Sequence, residues 1–271
     1  MMYSRALSGF ATGLLLVTVA CGGGGEPASE PAPAPAAAPA AEPAAAPAAI
    51  DPATAGHING KVVFEGKPPA NEPIRMNADP ACMKVASGAQ AQETYTVGAG
   101  GEFANVFVYV KDGLGNRTFP VPTEPVVLDQ QGCRYIPHVF GIMVGQTLQI
   151  VNSDPTLHNV HATPAAGVNT EFNTGQPIQG MKTEHIFTQP EVMVPFKCDV
   201  HGWMNSSVGV LNHPFYAVSG TDGTFGLHML PPGTYTIEAW HERLGTQTQS
   251  ITIAEGQTQD ISFTFRAPTA D

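Results

Sequence analysis

The stretch "EVMVPFKCDVHGWM" (191–204) joins a strand pattern to a loop that carries a cysteine, a histidine and a methionine. Residues two apart in a β-strand point to the same face. On one face of this strand they are Val192, Val194, Phe196 and Cys198. Because that face is apolar, we expect Cys198 to end a strand pointing into the core, with His201 and Met204 in the following loop.

Similar short strand patterns recur on both sides of this stretch, whereas helical periodicity is almost absent after residue 56. Gly, Pro, Asn and Asp punctuate the gaps between them, which is typical of a β-sandwich. We therefore predict an all-β fold. The predicted strands are 60–66, 104–113, 125–130, 142–152, 192–198, 207–211, 223–230, 233–240, 248–253 and 260–265.

The first 56 residues do not have the composition of a folded domain. Residues 1–20 combine a basic residue, an apolar run and small residues, as a secretory signal peptide does. Cys21 follows at once, which resembles a bacterial lipoprotein cleavage site with Cys21 as the lipidated residue; an ordinary cleaved signal is the alternative. The Ala/Pro-rich remainder, up to residue 56, is predicted to be a disordered tether.

The charge and the cysteines limit the binding partners and the cellular compartment expected for the folded part, residues 57–266. Acidic residues outnumber basic ones by 23 to 12, which argues against nucleic acid and against electrostatic binding to anionic lipid. An extracytoplasmic location, in the periplasm or at the cell surface, permits a disulfide between Cys82 and Cys133. Cys198 is then left unpaired in an oxidising compartment, so it needs a function.

The C-terminal stretch "TDGTFGLHMLPPGTYTIEA" (221–239) resembles the carboxypeptidase regulatory-like, or transthyretin-like, β-sandwich domains. The tail alone is too short for such a sandwich, and residues 57–71 and 104–113 look like its opening strands. One hypothesis is therefore an insertion, with 57–121 and 213–266 forming the transthyretin-like sandwich and 122–212 spliced into it. Two sequential domains, 57–212 and 213–266, are the alternative.

The unit 122–212 resembles the cupredoxins, the small blue-copper β-sandwich proteins. The resemblance rests on "IPHVFGIMVGQTLQIVNSD" (136–154), "HNV" (158–160), "TQPEVMVPFKC" (188–198) and "CDVHGWM" (198–204), whose Cys-x2-His-x2-Met spacing is that of amicyanin-like members. It implies one mononuclear copper ion, and thiolate, imidazole and thioether donors suit both Cu(I) and Cu(II). The implied ligands are His158, Cys198, His201 and Met204.

The resemblance also assigns roles around the ligands. Asn159 would hydrogen-bond the cysteine loop. Gly202 and Trp203 would belong to an apolar docking patch around an exposed His201. His161 is the alternative first ligand, although its place in the pattern favours a residue at the rim of the site. The remaining histidines are interpreted as surface or structural residues: His138, His185, His213, His228 and His241.

Other chemistries fit this pattern less well. A dinuclear copper centre needs a second cysteine in the loop, structural zinc uses more thiolates and no methionine, and copper oxidases need His-x-His pairs that the chain lacks. An enzyme with a Cys198 nucleophile is disfavoured because that cysteine points inward.

Two functions remain open from the sequence. One is a membrane-tethered electron carrier without enzymatic activity, which would serve a cytochrome, an oxidase or a periplasmic dehydrogenase. The other is a non-redox binding, adhesion or copper-storage protein whose sandwiches are interaction modules, including carbohydrate-binding ones.

Overall fold

The structure, a computed structural model, describes residues 50–267. The predicted signal peptide, Cys21 and nearly all of the predicted tether lie outside these residues. Within them, no helix has the length and apolar character needed to cross a bilayer.

The described chain is built almost entirely from β-strands, as predicted. Its one α-helix among residues 50–267 is α1 (Pro80–Val85). The strands are β1 (Gly56–Glu65), β2 (Pro73–Ile74), β3 (Gln90–Ala91), β4 (Phe107–Asp112), β5 (Val126–Gln130), β6 (Tyr135–Ile136), β7 (Val139–Met143), β8 (Thr147–Asn152), β9 (His158–Ala162), β10 (Phe172–Gln176), β11 (Lys182–Ile186), β12 (Glu191–Lys197), β13 (Asn205–Leu211), β14 (Tyr216–Val218), β15 (Thr224–Leu230), β16 (Gly233–His241), β17 (Gly245–Ile253) and β18 (Thr258–Arg266).

Two of the sheets form what we call the site sandwich. One has the strand order β10-β9-β12-β13-β7 and the other β11-β8-β5-β6. Their facing side chains make one apolar core, in which Leu128 and Ile150 of the second sheet meet Val160, Phe196 and Val208 of the first. Strand β8 shows the pattern that drives this packing, because every second residue along it is buried and so one face is removed from water.

Two further sheets form what we call the terminal sandwich, with strand orders β15-β1-β18 and β14-β4-β16-β17. Strand β1 pairs antiparallel with β15 and parallel with β18, and β4 pairs antiparallel with β14 and β16. Strands from both ends of the described chain therefore share the same sheets. Their core includes Val62, Val108, Ile237 and Phe263, all fully or almost fully buried.

The two sandwiches pack against each other through a separate apolar cluster. Phe107 and Tyr109 of β4 contact Val139 of β7, Met193 of β12 and Leu211 of β13. Trp240 and Tyr216 pack on the same cluster. The outer face of the five-stranded sheet is thus covered by the sheet of β4, β14 and β16.

The prediction of which β12 residues point into the core is wrong at the start of the strand. Val194, Phe196 and Cys198 are buried as expected, but Val192 is 39% exposed and Met193 is buried instead. Met193 has a positive φ of 64°, and the pairing of β12 with β13 shifts register between Glu191 and Val194. This β-bulge turns the Met193 side chain to the inter-sandwich cluster and moves Val192 out of the core.

The segment between β1 and β4 contributes no named strand to the sheets of either sandwich. It contains the short β2–β3 pair and helix α1. Asp79 is the N-cap of α1, with Pro80 in the first turn, which is a favourable start for a helix. A disulfide joins Cys82 of this helix to Cys133, across 51 residues of sequence. We call residues 66–91 the arm.

Candidate metal centre

The candidate ligands lie where two neighbouring strands of the site sandwich end. His158 is the first residue of β9, and Cys198 follows the last residue of β12. These strands pair antiparallel, with Lys197 opposite His161, so the start of β9 lies beside the loop that follows β12. That loop supplies His201 and Met204 before β13 begins at Asn205.

Three donor groups converge in this place. The Nδ1 atoms of His158 and His201 lie 3.0 Å apart. One donor atom each from His158, Cys198 and His201 can be chosen such that all three lie within 4.8 Å of one another. His158, Cys198 and His201 are 0%, 1% and 3% exposed, so the cluster is shielded from bulk water.

Each histidine ring is held from its outer side by a carboxylate. His158 Nε2 lies 3.0 Å from Asp154 Oδ2, and His201 Nε2 lies 2.9 Å from Asp79 Oδ2. A neutral ring that donates its Nε2 proton to a carboxylate keeps its lone pair on Nδ1. Two nitrogen lone pairs facing each other at 3.0 Å repel unless a proton or a metal ion lies between them. This is the arrangement expected around a metal ion bound by two carboxylate-supported histidines.

The ligand loop is tightly bonded around Cys198. Asn159 Oδ1 accepts hydrogen bonds from Cys198 Sγ at 3.2 Å, from Asp199 N at 2.8 Å and from Val200 N at 3.3 Å. The His201 amide donates to Cys198 Sγ at 3.3 Å. Asn159 therefore occupies the loop-organising position that the resemblance implied for it.

Met204 closes the same loop. Its amide donates to His201 O at 2.8 Å, and its carbonyl oxygen accepts from Cys198 N at 3.1 Å. Its side chain is 1% exposed and belongs to the site-sandwich core together with Cys198. The donors gathered here, one thiol and two imidazoles with a thioether in the same loop, are those that copper accepts in both oxidation states.

The protonation of the donors follows from burial and from these bonds. Burial raises the pKa of the Cys198 thiol, but hydrogen bonds from His158 and from the loop amides lower it by more, so the net shift is downward. The pKa of His201 is lowered by burial, with a part of the shift offset by Asp79. For His158, burial lowers the pKa, and the bonds to Asp154 and Cys198 raise it above its usual value.

His161 lies away from these donors. Its Nδ1 faces Asp199 Oδ2 at 2.9 Å and its Nε2 faces Glu171 Oε1 at 2.7 Å, in a partly exposed cluster. Of the two histidines considered from the sequence, the structure brings His158 and not His161 to Cys198. Among the other histidines, His138 and His241 are buried in hydrogen bonds outside the site, and His185 stacks on Phe172.

The resemblance implied that His201 lies at a surface patch, but the structure buries it. The docking role of Gly202 and Trp203 stays a prediction. His201 is covered by Asp79 and by the disulfide, with Cys82 Sγ 3.7 Å from His201 Nε2. Gly202 is exposed, and Trp203 is half-buried with its ring centroid 4.9 Å from that of His201. Trp203 Nε1 donates to Cys133 O at 3.0 Å, so the indole is fixed to the disulfide-bonded segment.

Two carboxylates that contact the histidine rings, Asp154 and Asp79, were not found from the sequence. Asp154 ends the "NSD" stretch four residues before His158, a spacing from which a contact could have been considered. Asp79 precedes Pro80, and an Asp-Pro pair is a helix-start signal. Nothing in that signal relates the arm to a histidine 122 residues away.

One family model matches part of the chain. A family model, the carboxypeptidase regulatory-like domain, matches residues 205–266. No curated protein matches the chain.

Similar solved structures include copper proteins that align with part of the chain. A Cu(I) form of an amicyanin mutant is 25% identical over 33% of this chain and 85% of that chain, with a TM-score of 0.28. A purple cupredoxin from Nitrosopumilus maritimus is 23% identical over 32% and 97%, with a TM-score of 0.27. A copper-containing nitrite reductase from Thermus scotoductus is 21% identical over 56% and 28%, with a TM-score of 0.31. These TM-scores are low, so the likenesses support no functional conclusion by themselves.

Proposed function

We propose that this chain is an extracytoplasmic mononuclear copper protein that carries single electrons between redox partners. The ligands would be His158, Cys198, His201 and Met204. The observation that carries the proposal is the pair of Nδ1 atoms facing each other at 3.0 Å beside Cys198, while carboxylates hold both Nε2 atoms.

The residues of the chain have separate tasks in this function. Asp154 orients the His158 ring so that Nδ1 points inward, and Asn159 fixes the cysteine loop through three hydrogen bonds. Bound copper would supply one-electron exchange between Cu(I) and Cu(II). Because the β-sandwich holds the donors rigidly and the ligand residues are buried, little has to move when an electron arrives, and no space is left for a substrate. We therefore assign no enzymatic activity.

The proposal extends to the organisation of the chain. Residues 57–121 and 213–266 would form a carboxypeptidase regulatory-like sandwich into which the copper unit 122–212 is inserted. The pairing of β1 with β15 and β18 supports this division. A lipid on Cys21 and the Ala/Pro-rich tether would hold the folded part near a membrane, within reach of a cytochrome, an oxidase or a periplasmic dehydrogenase.

Copper storage is a second candidate function, and the burial of His201 favours it. In a carrier, an exposed ligand edge shortens the path to a partner, whereas a covered ligand slows the loss of the metal. The two functions share the same ligands and differ in the rate of electron exchange.

Copper titration tests the metal site. We expect Cu(II) added to the folded chain to give an intense visible band from thiolate-to-copper charge transfer at one ion per chain. Cys198→Ala should abolish this band, and His161→Ala should retain it because His161 lies outside the cluster. A band that survives Cys198→Ala, or no band in the wild type, would overturn the proposal.

Stopped-flow mixing of the Cu(I) form with an oxidised c-type cytochrome then separates carrier from store. Fast, reversible oxidation of the copper site supports electron transfer. Loss of copper to a chelator without measurable electron exchange supports storage.

A further inference from the structure

The arm lies over the candidate metal centre and is attached through Asp79. The two carboxylate oxygens of Asp79 have different partners. Oδ1 accepts from the amides of Ala81 and Cys82, at 2.7 and 3.2 Å, and so holds the start of α1. Oδ2 lies 2.9 Å from His201 Nε2 and accepts from Thr156 Oγ1 at 3.1 Å. One side chain therefore links the helix of the arm to a ligand ring.

The arm is fastened to the site sandwich at further points, all C-terminal to Asp79. The disulfide to Cys133 anchors α1, and both of its cysteines are fully buried. At its other end, Arg134 donates to Ala91 O at 2.8 Å. Just beyond the arm, Gln92 Nε2 donates to Trp203 O at 3.1 Å, in the ligand loop itself.

The arm buries His201 but not the residues on either side of it in the ligand loop. Val200 is 50% exposed and Gly202 is also exposed, whereas His201 between them is 3% exposed. The loop as a whole therefore reaches the surface, and the His201 ring is buried because the arm supplies Asp79 and Cys82 over its Nε2 edge. Without the arm, a chelator or a thiol reagent would approach the donor cluster from this side.

We propose that Asp79 is a positioning residue that fixes the His201 ring with Nδ1 towards the metal, and that through it the arm closes the metal site against exchange with solvent. This inference rests on the proposed copper function for its metal readout. It predicts properties of the metal-free protein as well. In the metal-free protein, His201 is held as the Nε2–H tautomer and Cys198 is protected from thiol reagents.

The metal readout is the loss of the thiolate-to-copper band when excess EDTA is added to the Cu(II)-loaded full chain. Asp79→Ala is expected to accelerate this loss about 10- to 100-fold, the usual effect of removing a carboxylate behind a ligating histidine. Asp79→Asn should be closer to wild type because its amide oxygen can still accept from His201. Asp222→Ala is the matched control, since Asp222 accepts from Thr224 N in a turn of the terminal sandwich.

Two measurements on the metal-free chain keep the test independent of copper. Nitrogen NMR of the His201 ring should show Nε2–H in the wild type and a tautomer mixture in Asp79→Ala. The rate at which Cys198 reacts with a chromogenic disulfide reagent should rise in Asp79→Ala and stay unchanged in Asp222→Ala. Thr156→Val, which leaves Asp79 and all ligands in place, serves as a folded variant with a smaller effect in the same direction.

The outcomes separate the two proposals. If no copper band forms while the tautomer and thiol readouts respond to Asp79, the copper function fails and the closure stands. If the copper band forms normally and neither its loss to EDTA nor the metal-free readouts change in Asp79→Ala, the closure is overturned.

Discussion

Phe107 of the terminal sandwich lies directly over Gly209 of the site sandwich. A Cβ atom placed at Gly209 would be 2.3 Å from Phe107 Cζ, well inside contact distance. The same relationship holds beside it, where a Cβ atom at Gly141 would be 2.3 Å from Tyr216 Cδ2. Gly141 of β7 and Gly209 of β13, on adjacent strands, thus leave a flat surface on which two aromatic rings pack. The sandwiches meet at this surface, which we call the seat.

Gly209→Ala is expected to destabilise the protein by about 1–3 kcal/mol, because the new methyl group has to displace Phe107 from a packed interface. Urea unfolding measures this difference. Gly175→Ala is the control, since Gly175 also lies in a strand, has no positive φ and has open space around its Cβ position. Equal free energies of unfolding for the two variants would mean that the sandwiches do not pack through this seat.

Asn159→Ala is expected to lower the affinity for copper about 10- to 100-fold. The substitution leaves the amides of Asp199 and Val200 without their acceptor and frees the cysteine loop. It should also reduce the free energy of unfolding of the metal-free chain by about 1–3 kcal/mol, the net contribution of two partly buried hydrogen bonds.

Competition with a chelator of known affinity measures the first effect, and urea unfolding the second. Asn173→Ala is the matched control. The side chain of exposed Asn173 hydrogen-bonds the side chains of Asn159 and Asp199 but no amide of the loop. Similar losses in both variants would show that Asn159 is not the residue that organises the loop.

Removal of the disulfide by the double substitution Cys82→Ala and Cys133→Ala is expected to cost about 4 kcal/mol. This value is the chain-entropy estimate for a loop of 51 residues. Urea unfolding of the oxidised protein measures it. Cys198→Ala removes an equally buried cysteine without opening a loop, so its cost should be clearly smaller. A double variant no less stable than Cys198→Ala would contradict the expectation.

The sequence pattern predicted the sandwich strands well because side-chain alternation is a local signal. The stretch 233–240 alternates with period two and forms β16 (Gly233–His241). The stretch 142–152, taken as one pattern, is divided near Gly145, whose positive φ of 83° makes the turn between β7 and β8. Strand β9 was not found because its residues are buried on both faces and do not alternate.

The cover of the metal centre could not be predicted in the same way. Helix α1 has six residues, too few for helical periodicity, and its position is fixed by the disulfide and by Asp79. Both are contacts between residues distant in sequence. The expectation of an exposed His201 was therefore wrong because it considered the loop alone, without the arm that packs on it.

The ion pair between His138 and Glu242 joins the two sandwiches and is expected to make stability depend on pH. His138 Nε2 lies 2.8 Å from Glu242 Oε1, and both side chains are mostly buried. Burial lowers the pKa of His138, but the bond to Glu242 and the charge of Glu93 raise it by more. Burial raises the pKa of Glu242, but His138, His241 and Arg243 lower it by more.

The two shifts define the pH window of this stabilisation. Because the pKa of His138 is raised, its contribution to stability is fully present below the ordinary pKa of 6.5. That contribution is lost as the pH rises through the pKa of the folded state. Because the pKa of Glu242 is lowered, its contribution to stability is present above the ordinary pKa of 4.5. That contribution is lost as the pH falls through the pKa of the folded state. The pair should therefore contribute most between these two ordinary values.

Glu242→Gln tests this dependence. Its free energy of unfolding in urea should fall below that of the wild type by about 2 kcal/mol near the middle of the window, and the difference should shrink at alkaline pH as His138 becomes neutral. Exposed Glu255 gives the control variant Glu255→Gln, which removes one charge at the surface and should show no such maximum. A difference between Glu242→Gln and wild type that stays constant from acidic to alkaline pH would mean that His138 is not charged in the folded protein.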